Sequence, residues 1–139
     1  MKNTTKNILM VVGIFVALNT MLAFKYFRAQ QNGVEFADDS VVGKGTPVLL
    51  ELGSHSCVPC KKMMPILAEL NTEQTGFVVS FVDVWETEDK SEQYGIQSIP
   101  TQIFFDGDGT ELFRHTGFYP KDDIFAKWNE LGIEVNLAQ

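Results

Sequence analysis

Apolar and polar positions fall along this chain in blocks whose spacing changes from one predicted element to the next. The first block, residues 8–24, is almost unbroken apolar sequence with only Asn19 and Thr20 as polar side chains, and Lys2 and Lys6 precede it. A helix rising 1.5 Å per residue over that stretch comes near the lower limit for a hydrocarbon core of about 30 Å. Tyr26 and Phe27, flanked by Lys25 and Arg28, extend it through the interface. The pattern predicts one N-terminal transmembrane signal anchor over residues 1–28, with its N-terminus weakly placed in the cytoplasm by charge. A cleaved signal peptide is the alternative. Against it, the apolar region exceeds the usual 7–15 residues, no A-x-A site follows, and Lys25 and Arg28 stand where a cleavage region is small and neutral.

Residues 29–46 are polar, glycine-containing and weakly periodic, as in a linker that runs into the first edge elements, with a short strand at 34–36. Residues 47–139 form the predicted domain core, whose start lies as early as residue 33. There, 47–53 reads as a continuous apolar strand broken only by Glu51. Residues 58–74 read as a helix with Met63, Met64, Ile66, Leu67 and Leu70 at helical spacing, and Pro65 predicts a kink in it. A strand over 77–85 puts Val79, Phe81 and Asp83 on one face, and a charged, helix-prone stretch follows at 86–94. Strands at 101–105 and 111–116 flank Asp106-Gly107-Asp108-Gly109, a hairpin signal. The last helix, 121–131, turns Ile124, Phe125 and Trp128 inward and stops at Gly132. Alternating strands and helices closed by a hairpin and a helix predict an α/β fold, a central mixed β-sheet flanked by helices.

Charge narrows the function. From residue 33 onward lie all 18 acidic side chains against seven of the 11 basic ones, a formal charge of −11. Nucleic-acid phosphates would be repelled by such a domain. Its length suits one small domain with one core, taken as monomeric.

The chemistry concentrates in Cys57-Val58-Pro59-Cys60, which contains the only two cysteines and joins a strand to a helix. Backbone N–H groups at a helix start favour the thiolate of the first cysteine, which is the attacking form. One helical turn brings Cys60 behind an exposed Cys57, where it can resolve a mixed disulfide. A structural disulfide is one alternative. Half of a zinc site is another, and it would need His55 and His115 to complete four ligands. Haem attachment through C-x-x-C-H is excluded because Lys61 follows the second cysteine.

With these residues the chain resembles the thioredoxin family over about residues 34–132. The resemblance rests on Glu51 six positions before the first cysteine, Cys57-x-x-Cys60-Lys61 and Pro65 in the helix. It continues through Tyr94-Gly95-Ile96-x-x-Ile99-Pro100-Thr101, Phe104-Phe105-Asp106-x-x-Gly109 and Gly117-Phe118. It implies a thioredoxin fold with a cis Pro100 opposite a redox-active Cys57–Cys60 pair; an ordinary trans proline is the alternative. It also implies that Ile99 offers its backbone to an extended substrate peptide, beside Val58 and Pro59. Glu51, in a covered central strand, would be biased toward its protonated form and would carry a proton for Cys60; a solvent-facing Glu51 is the alternative.

Departures from the family pattern are informative. Ser56 and Gly53 stand where aromatic residues are usual, so the rim of the site is expected to be less apolar, and Val58 puts a β-branched side chain beside the reactive sulfur. Phe81 falls near the place of a lysine that often partners the strand carboxylate. His55 is read as a solvated loop residue or, when charged, as support for the Cys57 thiolate.

The resulting expectation is a membrane-tethered thiol:disulfide oxidoreductase with its domain outside the cytoplasm, more a reductase than an oxidase, needing no cofactor or metal. Its partners would be disulfide-containing exported proteins, including apocytochromes before haem attachment, and a membrane thiol-transfer protein as electron donor. A binding or chaperone module with a structural Cys57–Cys60 bond is the alternative from another class.

Overall fold

The computed structural model describes residues 13, 18–22, 35–87 and 89–137. It divides into two compact units, Met1–Glu35 and Phe36–Gln139. In the first, positions 13 and 18–22 are helical, and Leu18, Met21 and Leu22 are exposed. No helix among the described residues is long and apolar enough to cross a membrane, and most of the apolar stretch at 8–24 lies outside them.

The second unit opens with a single bridge from Ala37 to Ser80, where the sequence predicts a strand at 34–36, followed by a 3₁₀ turn at Asp39–Val41. Strand β1, Val48–Gly53, is buried at every position, as a continuous apolar run predicts for a strand covered on both faces. Helix α1, Val58–Glu73, buries Cys60, Met63, Leu67 and Leu70 along one stripe. It continues as one element through Pro65. Pro65 and Lys61, whose carbonyl would otherwise accept from position 65, are both exposed residues, so the missing intrahelical bond falls on the solvent side of the helix.

A two-residue strand β2, Gln74–Thr75, leads to β3, Val78–Asp83, which lies parallel to β1 with Val48 opposite Val78 and Gly53 opposite Asp83. The strand ends earlier than its apolar sequence because the Asp83 carbonyl accepts the N–H groups of Glu86 and Thr87, folding the chain into a turn. The helix expected over 86–94 shrinks to α2, Lys90–Gln93, which has no buried residue. A charged stretch without an apolar stripe has nothing to pack, and short helices are marginal without packing.

Strands β4, Thr101–Phe105, and β5, Glu111–Thr116, form the expected hairpin, with a register shift at Phe104/Phe105. Asp106 Oδ1 shapes its turn by accepting the N–H groups of Asp108 at 3.0 Å and Thr110 at 2.8 Å. Helix α3, Lys121–Glu130, buries Ile124 and Trp128 and half-buries Phe125. A last strand β6, Asn136–Leu137, pairs with β2 apart from the main sheet.

The main sheet has the order β3-β1-β4-β5 and is mixed, because β1 runs parallel to β3 and antiparallel to β4. Side-chain alternation divides its apolar residues between two layers. Leu49, Val79 and Phe104 meet Met63, Leu67 and Leu70 of α1 and Trp128 of α3, while Leu50, Leu52, Ile103 and Phe105 pack under Val42, Tyr94 and Ile99. Trp128 anchors the first layer between the rings of Phe77 and Phe104, at centroid distances of 4.9 and 4.6 Å.

Candidate functional site

Cys57 directly precedes α1, in the position a helix-capping residue takes. Its N–H donates to the Ser54 carbonyl, its carbonyl accepts from Lys61, and its sulfur accepts the N–H of Cys60 at 3.4 Å. A sulfur is thus used as a cap where an oxygen is usual, and an orphan donor of the helix start points at the reactive atom. Proline is tolerated at Pro59 because first-turn N–H groups lack intrahelical partners. Both cysteines are free thiols.

The first cysteine is less open than its place at a helix start implies. Cys57 is 7 % exposed and Cys60 1 %, while the two residues between them, Val58 at 69 % and Pro59, are exposed. Burial pushes the Cys60 thiol up to about 12, reinforced by its hydrogen bond to Cys57 and by the charges of Cys57 and Glu51.

Beneath the dithiol, Glu51 is fully buried on the central strand. Desolvation raises its carboxyl from an ordinary 4.5 to about 8, against the downward pull of a hydrogen bond from Gln102. Gln102 Nε2 donates to Glu51 Oε2 at 2.9 Å. The strand register accounts for the pair: Phe81, Glu51, Gln102 and His115 stand opposite one another across β3, β1, β4 and β5, so all four share one face of the sheet. Gln102 is the site residue that sequence reasoning passed over. Its only sequence signal is one polar side chain inside Thr101-Gln102-Ile103-Phe104-Phe105.

The loop before Cys57 is fastened from β3. Asp83 Oδ2 accepts the N–H of His55 at 2.8 Å and Oδ1 that of Trp85 at 3.0 Å. Burial raises the Asp83 carboxyl, but these N–H groups and the Ser54 hydroxyl outweigh it and hold the group below the usual carboxylate range. His55 and Ser56 are exposed, and the His55 ring lies 4.9 Å from that of Phe81. A Cβ on Gly53 would stand 3.3 Å from the Phe81 ring and 3.4 Å from Cys60 Sγ. The absence of an aromatic side chain at 53 therefore goes with the presence of one at 81.

The Ile99–Pro100 peptide bond is cis, the geometry the resemblance implies. Pro100 is buried, and its carbonyl accepts the N–H of Gly117 at 2.8 Å. Ile99 is half-buried and lines an open depression of about 260 Å³ together with Val84, Trp85, Ser91, Ile96 and Gln97. Trp85 is 61 % exposed there, so large apolar surface sits on this side rather than in the loop before Cys57. Among the described residues, no group of three His, Cys, Asp or Glu side chains is placed to hold a metal ion.

Residues 35–132 match the family model described as a thioredoxin-like domain. The chain is 35% identical over 83 residues to a thioredoxin of Chlamydia caviae, covering 60% of this chain and 80% of that one. It is 36% identical over 87 residues to thioredoxin C-2 of Corynebacterium nephridii, covering 62% and 80%. Among solved structures it resembles a point mutant of the thioredoxin from Halobacterium salinarum, with a TM-score of 0.58, 26% identity, and coverage of 64% of this chain and 81% of that chain.

Proposed function

This chain belongs to the thioredoxin-like domain family, and on that premise we propose that it is a membrane-tethered thiol:disulfide oxidoreductase that reduces disulfides in exported proteins. The observation that carries the chemistry is the pairing of two free thiols within one helical turn, the second buried beside Glu51, whose carboxyl burial pushes up to about 8. The Cys57 thiolate attacks one sulfur of a substrate disulfide, forming a mixed disulfide and releasing one substrate thiolate. Cys60 then gives its proton to ionised Glu51, and its thiolate attacks the Cys57 sulfur. The second substrate thiolate leaves, and two electrons have passed from the dithiol to the substrate.

Two of the causes that hold the Cys60 proton come from Cys57, its hydrogen bond and its charge. Both are lost once Cys57 is consumed in the mixed disulfide. The first step therefore lowers the barrier to the second, which keeps Cys60 inert until a substrate is attached. Val58, Pro59 and Ile99 offer the surface against which the substrate peptide lies, and buried Pro100 backs it beside Ile99. A membrane thiol-transfer protein would return the electrons, and the apolar sequence at 8–24 would hold the domain at the membrane, on its extracytoplasmic side.

The reading is tested by the equilibrium reduction potential of the Cys57–Cys60 pair together with two variants. A value near about −270 mV supports a reductase, one near about −120 mV an oxidase, and one below about −300 mV a structural bond. Cys57→Ser should abolish reduction of insulin disulfides, and Cys60→Ser should still attack and accumulate mixed disulfides. Full activity in Cys57→Ser would overturn the enzymatic reading.

A further inference from the structure

Glu51 and Gln102 are 51 positions apart in sequence and directly opposite in the sheet, with the Glu51 side chain and the Gln102 side chain both fully buried. Of the four polar atoms at their ends, only one donates and only one accepts. Gln102 Nε2 donates to Glu51 Oε2, while Glu51 Oε1 and Gln102 Oε1 are buried without a partner among the described residues. Leaving two polar oxygens unpaired in a core is costly, and an apolar pair of similar shape would avoid that cost. The arrangement fits a group that changes protonation state. The Gln102 amide donates to the carboxylate through Nε2, a bond that is stronger to the ionised form than to the acid, and it leaves Glu51 Oε1 open to a proton.

We propose that Gln102 is a positioning residue for proton transfer at the dithiol: it holds Glu51 by Oε2 and leaves Oε1 as the oxygen that exchanges a proton with Cys60. This rests on the oxidoreductase reading and adds a residue to it. No other described side chain hydrogen-bonds the Glu51 carboxyl. The surroundings of the pair are otherwise sparse in charge. From α1 the titratable neighbour is Cys60, from β3 the residue opposite Glu51 is Phe81, and from β5 the residue opposite Gln102 is His115. His115 is turned to its own surroundings, its ring stacked on Tyr119 and its Nε2 3.3 Å from the Phe118 carbonyl. Asp83, at the end of β3, is bonded to the loop before Cys57. α3 faces this layer with Ile124 and Trp128, neither of which titrates.

Gln102→Met keeps the length of the side chain and removes both polar ends. A hydrogen bond from a neutral donor favours the ionised carboxylate, so its loss raises the titration midpoint of Glu51. Hydrogen bonds to charged groups are worth enough that the midpoint should move up by about one to two pH units. Carbon NMR of the Glu51 carboxyl in the full-length chain in detergent reads this midpoint. In single-turnover kinetics the pH limb of resolution through Cys60 should move by the same amount, with the first attack by Cys57 unchanged. A midpoint unmoved by Gln102→Met, or a moved midpoint with an unmoved kinetic limb, overturns the proposal.

The wild-type protein supplies a check that survives a variant that does not fold. The Gln102 side-chain amide hydrogens should titrate with the Glu51 midpoint, and an amide signal flat across that range overturns the proposal. The NMR midpoint is read independently of activity. A wild-type chain that exchanges no disulfide at all would instead overturn the oxidoreductase reading.

Discussion

At the scale of single residues, Glu51 links the energetics of the fold to its chemistry. Its ordinary value is 4.5 and burial raises it to about 8, so between those values the unfolded chain has released a proton that the folded chain retains. Stability from this group is fully present below the lower value and lost as pH rises through the upper one. Glu51→Gln abolishes this dependence while keeping the side-chain shape, and its new amide can donate to the unpartnered Gln102 Oε1. Urea unfolding from pH 4 to 9 should show the variant gaining on wild type by a few kcal/mol as pH rises, with the gain levelling off above about 8. A constant difference across that range would mean that Glu51 is not held protonated by burial. The acidic position is legible in the sequence as a lone carboxylate in an apolar strand, and its burial follows from that strand being central. Gln102 is not, because its partner depends on the pairing of β1 with β4, which no local pattern encodes.

At the scale of elements, periodicity predicts the pieces that bury an apolar face and misses those that do not. β1, α1, β4, β5 and α3 lie where their patterns put them, because each has a stripe or face to hide. The 3₁₀ turn at Asp39–Val41 is held by polar contacts, with Asp39 Oδ2 accepting from Lys90 Nζ at 2.6 Å and from the Tyr94 hydroxyl at 2.8 Å. The β2–β6 pair is held by backbone bonds between distant short segments. Neither leaves a periodic trace. Where an element does pack, removing volume should be expensive. Leu67→Ala, in the fully buried stripe of α1, should cost about 2–5 kcal/mol in urea unfolding. The hairpin turn has a different sensitivity. Gly109 has φ +86, and a Cβ there would stand 3.1 Å from Gly43 Cα. Gly109→Ala meets an unfavourable backbone conformation and a backbone contact together, and should cost about 1–3 kcal/mol. A loss below about 0.5 kcal/mol, on the scale of an ordinary surface change, would show that the turn relaxes freely.

For the whole molecule, the question is where the oxidoreductase works. The proposed anchor at 8–24 and the proposed export of the domain are checked together, because a dithiol reductase in a reducing compartment would gain little from a tether. Carbonate washing should leave the intact chain in the membrane fraction, and added protease should reach the domain only from the extracytoplasmic side. A shortened soluble form would indicate a cleaved signal instead, and protection from external protease would reverse the topology. The domain also carries its own optical probes. Of its two tryptophans, Trp128 is sealed between aromatic rings in the core, whereas Trp85 is 61 % exposed beside Ile99. Acrylamide should therefore quench only part of the intrinsic fluorescence of the folded protein, the part from Trp85. A peptide seated against Ile99 should shield that emission from the quencher while leaving the Trp128 emission unchanged. Unfolding should do the opposite, opening Trp128 to the quencher, so one fluorescence cell can separate occupancy of the proposed substrate surface from loss of the fold.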